Sequence, residues 1–259
     1  MSRAGRIRSE TVAAGKAFLR RRTAVFFTFF FPAIIILIFG ALVNTAGGTG
    51  GLFTEPPGYY VPGYLAVVVL FTPLSRVGSE VARHREDNRF EKLATTPLRR
   101  WEWLAAQTLV NVGIIGVAAA GILLLVVAVT GASIVFSPLL VQFVVLGVAL
   151  FCGLGAILGS LSDSSDGVIA ASNGIALPLL FLSETFVPQS LLPEWLPLWV
   201  SPLTYFSRGV RAVAYEPPGT LATSQVPGGL GVAESNLLVL AALTLAFFVV
   251  GAVTLPRTD

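Results

Sequence analysis

Residues Arg76–Gln107 read RVGSEVARHREDNRFEKLATTPLRRWEWLAAQ. No other long charged segment stands between two hydrophobic runs. It carries seven of the chain's 17 Lys and Arg residues (Arg76, Arg83, Arg85, Arg89, Lys92, Arg99, Arg100) and the only histidine, His84. Nothing in it has the spacing of a catalytic site. Its pattern is that of a loop carrying a short helix along a membrane surface, offered to a partner. The rest of the chain reads as the membrane body that such a loop would move.

Composition supports this. Hydrophobic residues make up 54% of the 259 residues, mean hydropathy is +0.80 and charged residues are 12%. The charged share is about half the ~25% usual for soluble domains. It cannot coat a soluble globule of this size, and it suits a multi-pass membrane protein. The single cysteine, Cys152, excludes an internal disulfide and a cysteine-built metal site. Inside an apolar run it reads as a buried, space-filling thiol.

Six runs are predicted to span the bilayer, at about 24–43, 60–76, 106–129, 138–161, 168–186 and 236–255, each sized against a ~30 Å hydrocarbon core. The first is too long for a signal-peptide core and is read as retained. Pro32 is placed to kink it, and Phe26–Phe31 read as a lipid-facing or packing surface. The second is expected to continue helically past Arg76. Residues 1–22 hold seven more basic residues, with Ile7, Ala14 and Phe18 at spacings of seven and four. That is an amphipathic helix with arginines near lipid headgroups, not a nucleic-acid-binding arm.

The positive-inside rule then sets the topology. Residues 1–22 and the basic loop, 76–105, hold 14 of the 17 basic residues and are expected in the cytoplasm. Alternation puts Asp163 inside, residues 187–235 outside and both termini in the cytoplasm. Trp101 and Trp103 are expected at the inner headgroup level, Trp195 and Trp199 at the outer one. The expected fold is all-α: one domain over 1–259, six membrane helices, an N-terminal surface helix, a cytoplasmic helix after the second span and an outer re-entrant helical hairpin over 187–214.

Within the basic loop, Phe90, Leu93 and Ala94 form a narrow apolar stripe, with Arg85, Glu86, Asp87, Arg89, Glu91 and Lys92 around it. That predicts a short amphipathic helix. Pro97 disfavours helix at Thr96, and it fits the first position of a new helix with Thr96 as N-cap.

The loop resembles the cytoplasmic coupling region of ABC type-2 exporter permeases, whose pattern is close to E-R-E-x-G-T-x-E-x-L-x-x-T-P-L/V. Here Arg85-Glu86 is followed by Glu91, Leu93, Thr96, Pro97 and Leu98. Asn88-Arg89 stands where the family often has Gly-Thr, and His84 where a Glu is common. The resemblance implies six helices and a coupling site over Arg85, Glu86, Phe90, Glu91, Leu93, Thr96 and Pro97. It also implies a separate ATPase subunit that holds ATP and Mg, and pairing with a second copy or a similar permease.

A second resemblance lies in Phe181–Val213. Prolines at 188, 193, 197 and 202 forbid one continuous helix, while Leu191, Leu192, Trp195, Leu196 and Trp199 argue against a free external loop. A re-entrant segment satisfies both. Family members show such a dip followed by P-x-x-Y/F-x-x-x-x-x-R, here Pro202, Tyr205 and Arg208 or Arg211. This implies an outer gate over Pro188, Pro193, Trp195, Pro202, Tyr205, Arg208 and Arg211. On the residues alone, the two arginines either snorkel to outer headgroups or contact substrate or gate, and Glu184 stands near enough in sequence to pair with one of them.

Other signals are weaker. Asp163-Ser-Ser-Asp166-Gly167-Val-Ile-Ala170 is similar to the first half of a CDP-alcohol phosphotransferase motif, but Ala171 replaces its Arg and the later aspartates are absent. Gly15-Lys16 lacks the first P-loop glycine, where Glu10 stands, and the Ser/Thr, where Ala17 stands. No nucleotide site is recognisable. Gly155-Ala-Ile-Leu-Gly159 permits close helix packing, within the chain in preference to a dimer seam.

The expected function is that of a permease subunit of an ATP-driven exporter in the cytoplasmic membrane of a prokaryote. Its cargo is expected to be amphipathic, drug-like or lipid- or glycan-linked. A lipid-modifying enzyme using Asp163 and Asp166, and an ATPase-independent scaffold or channel, are the alternatives.

Overall fold

The structure is a computed structural model that describes residues 2–38, 56–132, 134–181, 183–187, 192–193, 195–215 and 231–256. Among these residues there is no strand. The helices are α1 (Arg3–Arg20), α2 (Arg22–Ile36), α3 (Val61–Glu86), α4 (Arg89–Ala94), α5 (Arg100–Thr130), α6 (Pro138–Leu161), α7 (Ser165–Phe181), α8 (Pro202–Ala214) and α9 (Val232–Thr254). Four helical stretches are long and apolar enough to cross a membrane: Gly58–Glu86, Arg100–Thr130, Pro138–Leu161 and Val232–Thr254. The apolar helices α2 and α7 are shorter, and residues 39–43 of the predicted first span lie outside the described residues.

Helix α3 is the centre of the bundle. Leu65, Ala66, Val69, Leu70, Leu74, Val77 and Val81 are fully buried on it, and α5, α6, α7 and α8 pack around them. Its closest neighbour is α6. A Cβ on Gly159 would stand 2.3 Å from Gly78 O, and one on Gly155 2.6 Å from Leu74 O. Only glycine lets the two backbones approach this far, so the predicted small-residue pattern does serve packing within the chain.

The second run extends further than a bilayer span. Its helix continues from Arg76 to Glu86, so the first part of the charged stretch is a rigid extension of α3 and not loop. Arg76, Glu80, Arg83 and His84 recur at helical spacings on it, and no proline or glycine interrupts after Gly78. Asn88, at a φ of 51°, turns the chain into α4.

Apolar residues face outward on the long helices, as a lipid-facing surface requires. Leu109, Val117 and Leu124 on α5, and Leu245, Val249 and Val253 on α9, are exposed. So are Phe26, Phe27, Phe30 and Phe31 on α2. Amphipathic α1 turns Ala14 and Phe18 inward and packs along α5.

Candidate functional site

The structure concentrates polar chemistry at two ends of the bundle. At the first end, α4 is held by rings. His84, Phe90 and Trp103 form a triad with centroids 5.3 to 5.8 Å apart, joining α3, α4 and α5. Trp103 is buried, with Phe90 of α4 packed edge-on against it. Trp101 remains exposed.

Arg85 and Glu86 point back into the molecule. Arg85 Nη1 donates to Ser160 O and Ser162 O, both at 2.8 Å, meeting carbonyls left open at the end of α6. Glu86 Oε1 accepts from the Ser165 N–H at 2.9 Å, at the first residue of α7. A carboxylate there also opposes the positive end of the helix dipole. Two adjacent residues at the tip of α3 therefore clamp both sides of the α6–α7 turn.

Glu91, Thr96 and Pro97 are exposed, as are Asp87 and Arg89, which pair at 2.8 Å. Leu93 lies on α4. Thr96 is not the N-cap of the next helix. Leu98 and Arg99 stay outside it, and α5 starts at Arg100 because Glu102, one turn in, accepts the Arg99 N–H at 2.9 Å. Glu102 is fully buried and also binds Arg6 of α1 through two contacts, 3.1 and 2.6 Å. This anchor was missed in the sequence, since 96 positions separate its partners. The capping role of Glu102 was its one visible trace.

At the other end, Glu184 follows α7 with a φ of 56° and is 3% exposed. Arg208 of α8 binds its carboxylate twice, at 3.0 and 2.5 Å. Arg211 donates to Glu184 O and stacks 4.0 Å above the Tyr59 ring. Ser183 shares a hydrogen bond with Ser201, and Ser207 donates to Ser183 O. The fork of Arg208 suits a carboxylate held in low dielectric. Both arginines are thus brought onto the end of α7, and the pairing left open by the sequence falls to Arg208.

Helix α8 begins with Pro202 in its first turn and buries Leu203, Phe206 and Val210. Tyr205 donates to Trp199 O at 2.7 Å, closing the turn before the helix. Trp195 and Trp199 are 80% and 72% exposed. Pro193 lies in the irregular approach to this turn, and Pro188 lies outside the described residues. Where it is described, the arm before Pro202 is turns and a short 3-10 helix, Leu198–Val200.

The model of the family described as ABC-2 type transporter matches residues 10–215. The chain belongs to the ABC-2 type transporter family. The match includes the α4 region and the Glu184–Arg208 pair. Comparison with curated proteins finds no match. As a member of this family the chain is a multi-pass membrane protein and a transport permease component.

Asp163 and Asp166 sit exposed at the α6–α7 turn of this permease. Ser164 Oγ accepts from the Gly167 N–H at 3.1 Å beside them. No group of three or more metal-binding side chains occurs among the described residues. Cys152 is fully buried.

Proposed function

We propose that the chain is the membrane subunit of an ATP-driven exporter whose α4 segment is the contact for a separate ATPase subunit. ATP and Mg belong to that partner, where hydrolysis supplies the work. The observation that carries the reading is the double clamp of Arg85 and Glu86 on the α6–α7 turn. A push on α4 is passed by the aromatic triad to the tip of α3. From there the clamp passes it to α7, whose far end carries Glu184. Stiff helices joined by paired polar contacts can carry a displacement of this kind, provided the far end has two arrangements.

In this reading α2 and α7 complete a set of six spans. The α1 and α4 end faces the cytoplasm, and α8 with the turn before it re-enters the outer leaflet. Pro188, Pro193, Trp195, Pro202, Tyr205, Arg208 and Arg211 form the outer closure, with Glu184–Arg208 as its latch. A second copy, or a similar permease, lies against this one in the membrane of a prokaryotic cell, with both termini cytoplasmic. The apolar outer faces suit an amphipathic, drug-like or lipid-linked cargo.

The test is co-purification from native membranes in mild detergent. Glu91 and Asp87 are the acidic groups exposed beside α4. Reversing both to lysine is expected to release a P-loop ATPase that copurifies with the wild type, while the permease stays folded. Glu86 is unsuitable for reversal because it caps α7. Absence of any ATPase with the wild type would remove the reading. It would also turn attention to Asp163 and Asp166 as a membrane-embedded enzyme site.

A further inference from the structure

Helix α7 carries a polar residue on its outward face. Ala170, Asn173, Gly174 and Leu177 are exposed along one side of it. Asn173 is the ninth of its 17 residues, about 12 Å from either end. Where α5 and α9 turn outward at similar positions they present Val117, Leu124, Leu245 and Val249.

The Asn173 amide has no partner within the chain. Asn111 and Asn236, also in helices, meet their own backbone: Asn111 Nδ2 donates to Gln107 O at 2.8 Å and Asn236 Nδ2 to Val232 O at 2.7 Å. Asn173 makes no side-chain hydrogen bond among the described residues. A second polar group stands beside it. Pro178 lies inside α7 and has no N–H to give, so the Gly174 carbonyl, four residues earlier, loses its helix donor. Gly174 is exposed, and a Cβ there would meet nothing within 4 Å. Hydrocarbon offers neither group a hydrogen bond, so an amide and a carbonyl left bare at this depth are costly.

We infer that this face of α7 is the seam with a second copy of this chain, closed by Asn173 and Gly174 of each copy. The inference rests on the reading above that α7 spans the membrane and that a second permease lies alongside. Two copies share one orientation in the bilayer, so a two-fold axis along the membrane normal sets the same residues opposite each other. An amide is donor and acceptor at once. The Asn173 N–H groups of each copy then meet the Asn173 oxygen or the Gly174 carbonyl of the other. Both bare groups are satisfied, and the match is to an identical partner, which carries the same asparagine at the same height. Ala170 and Gly174 have no bulk to hold the two helices apart.

The full chain is tested in native membranes by disulfide formation under mild oxidation. Ala170→Cys lies one turn from Asn173 on the same face and leaves the polar pair intact. Val117→Cys on α5 and Leu245→Cys on α9, both exposed, are the comparison positions, and the native Cys152 is fully buried. Ala170→Cys is expected to give a covalent dimer of this chain, and the other two none. Adding Asn173→Leu is expected to weaken dimer formation about tenfold, the effect of losing two ordinary hydrogen bonds between membrane helices. Asn173→Gln keeps an amide and is expected to restore most of it. These positions are exposed, so the variants leave the core of the bundle untouched. A dimer through Val117→Cys or Leu245→Cys alone overturns the seam and leaves the paired permease standing. A dimer through Ala170→Cys that Asn173→Leu leaves unchanged also overturns the inference, as does an adduct with a different permease. Rapid labelling of Ala170→Cys by a membrane-impermeant maleimide puts this face in water and overturns it as well. A covalent dimer from none of the three positions removes the pairing itself.

Discussion

At the scale of single residues, Glu184 and Glu10 make opposite cases. Glu184 is buried and doubly bound by Arg208. Arg208→Ala leaves that carboxylate enclosed without its fork, at a cost of about 1–3 kcal/mol. A lower melting temperature in detergent, partly restored by adding Glu184→Gln, is the expected result. Glu10 is half-buried with no side-chain partner among the described residues, and its carboxyl is held above the usual 4.5 by partial burial and by Glu80. The folded protein therefore binds this proton more tightly than the unfolded chain does. Stability from this group is lost as pH rises from 4.5 through the raised value. Glu10→Gln is expected to raise the melting temperature above that window and to leave it unchanged below pH 4.5. Melting curves in lipid-free detergent across the window check the sign.

At the scale of elements, the helices were legible because hydrophobic periodicity and length are local signals. The amphipathic stripe of α1, the short α4 after the charged turn and the apolar runs of α5, α6 and α9 all stand near their expected places. What was not legible was set by distant partners. Helix α3 was expected to continue past Arg76, but the position of its end was not legible. That end lies at Glu86, because the charges after Arg76 meet α1, α6 and α7 across the fold. Thr96-Pro97 looked like a helix start, yet Glu102 moves it to Arg100. The burial of Trp103 against Phe90 of α4 was likewise not legible. Gly159→Leu would drive a side chain against the Gly78 carbonyl and is expected to cost about 1–3 kcal/mol or more. Gly116→Leu, which meets open space on α5, is expected to be neutral. Arg85→Ala with Glu86→Ala frees the α6–α7 turn. It is expected to leave ATPase binding intact while abolishing transport-coupled hydrolysis, read as cargo-stimulated ATP turnover in vesicles.

At the scale of the whole molecule, the two polar ends are joined by α3 and α7, and the exposed surface between them is apolar. The candidate coupling residues were found in the sequence as a cluster, but they separate by role in the structure. Glu91, Thr96 and Pro97 face outward, Phe90 packs inward, and Arg85 and Glu86 tie α3 to the α6–α7 turn. Arg208 and Arg211 were found as an exception to the charge rule, and in the structure both hold Glu184. The central claim is that the α4 end receives an ATPase from the cytoplasm. Its most direct test is site-specific crosslinking in native membranes with a thiol-reactive photoprobe, using Thr96→Cys and, at the opposite end, Trp199→Cys. The native Cys152 is buried and does not compete. The account predicts a covalent adduct between Thr96→Cys and a P-loop ATPase, and none from Trp199→Cys. An ATPase adduct at Trp199→Cys, or at neither position, would contradict it.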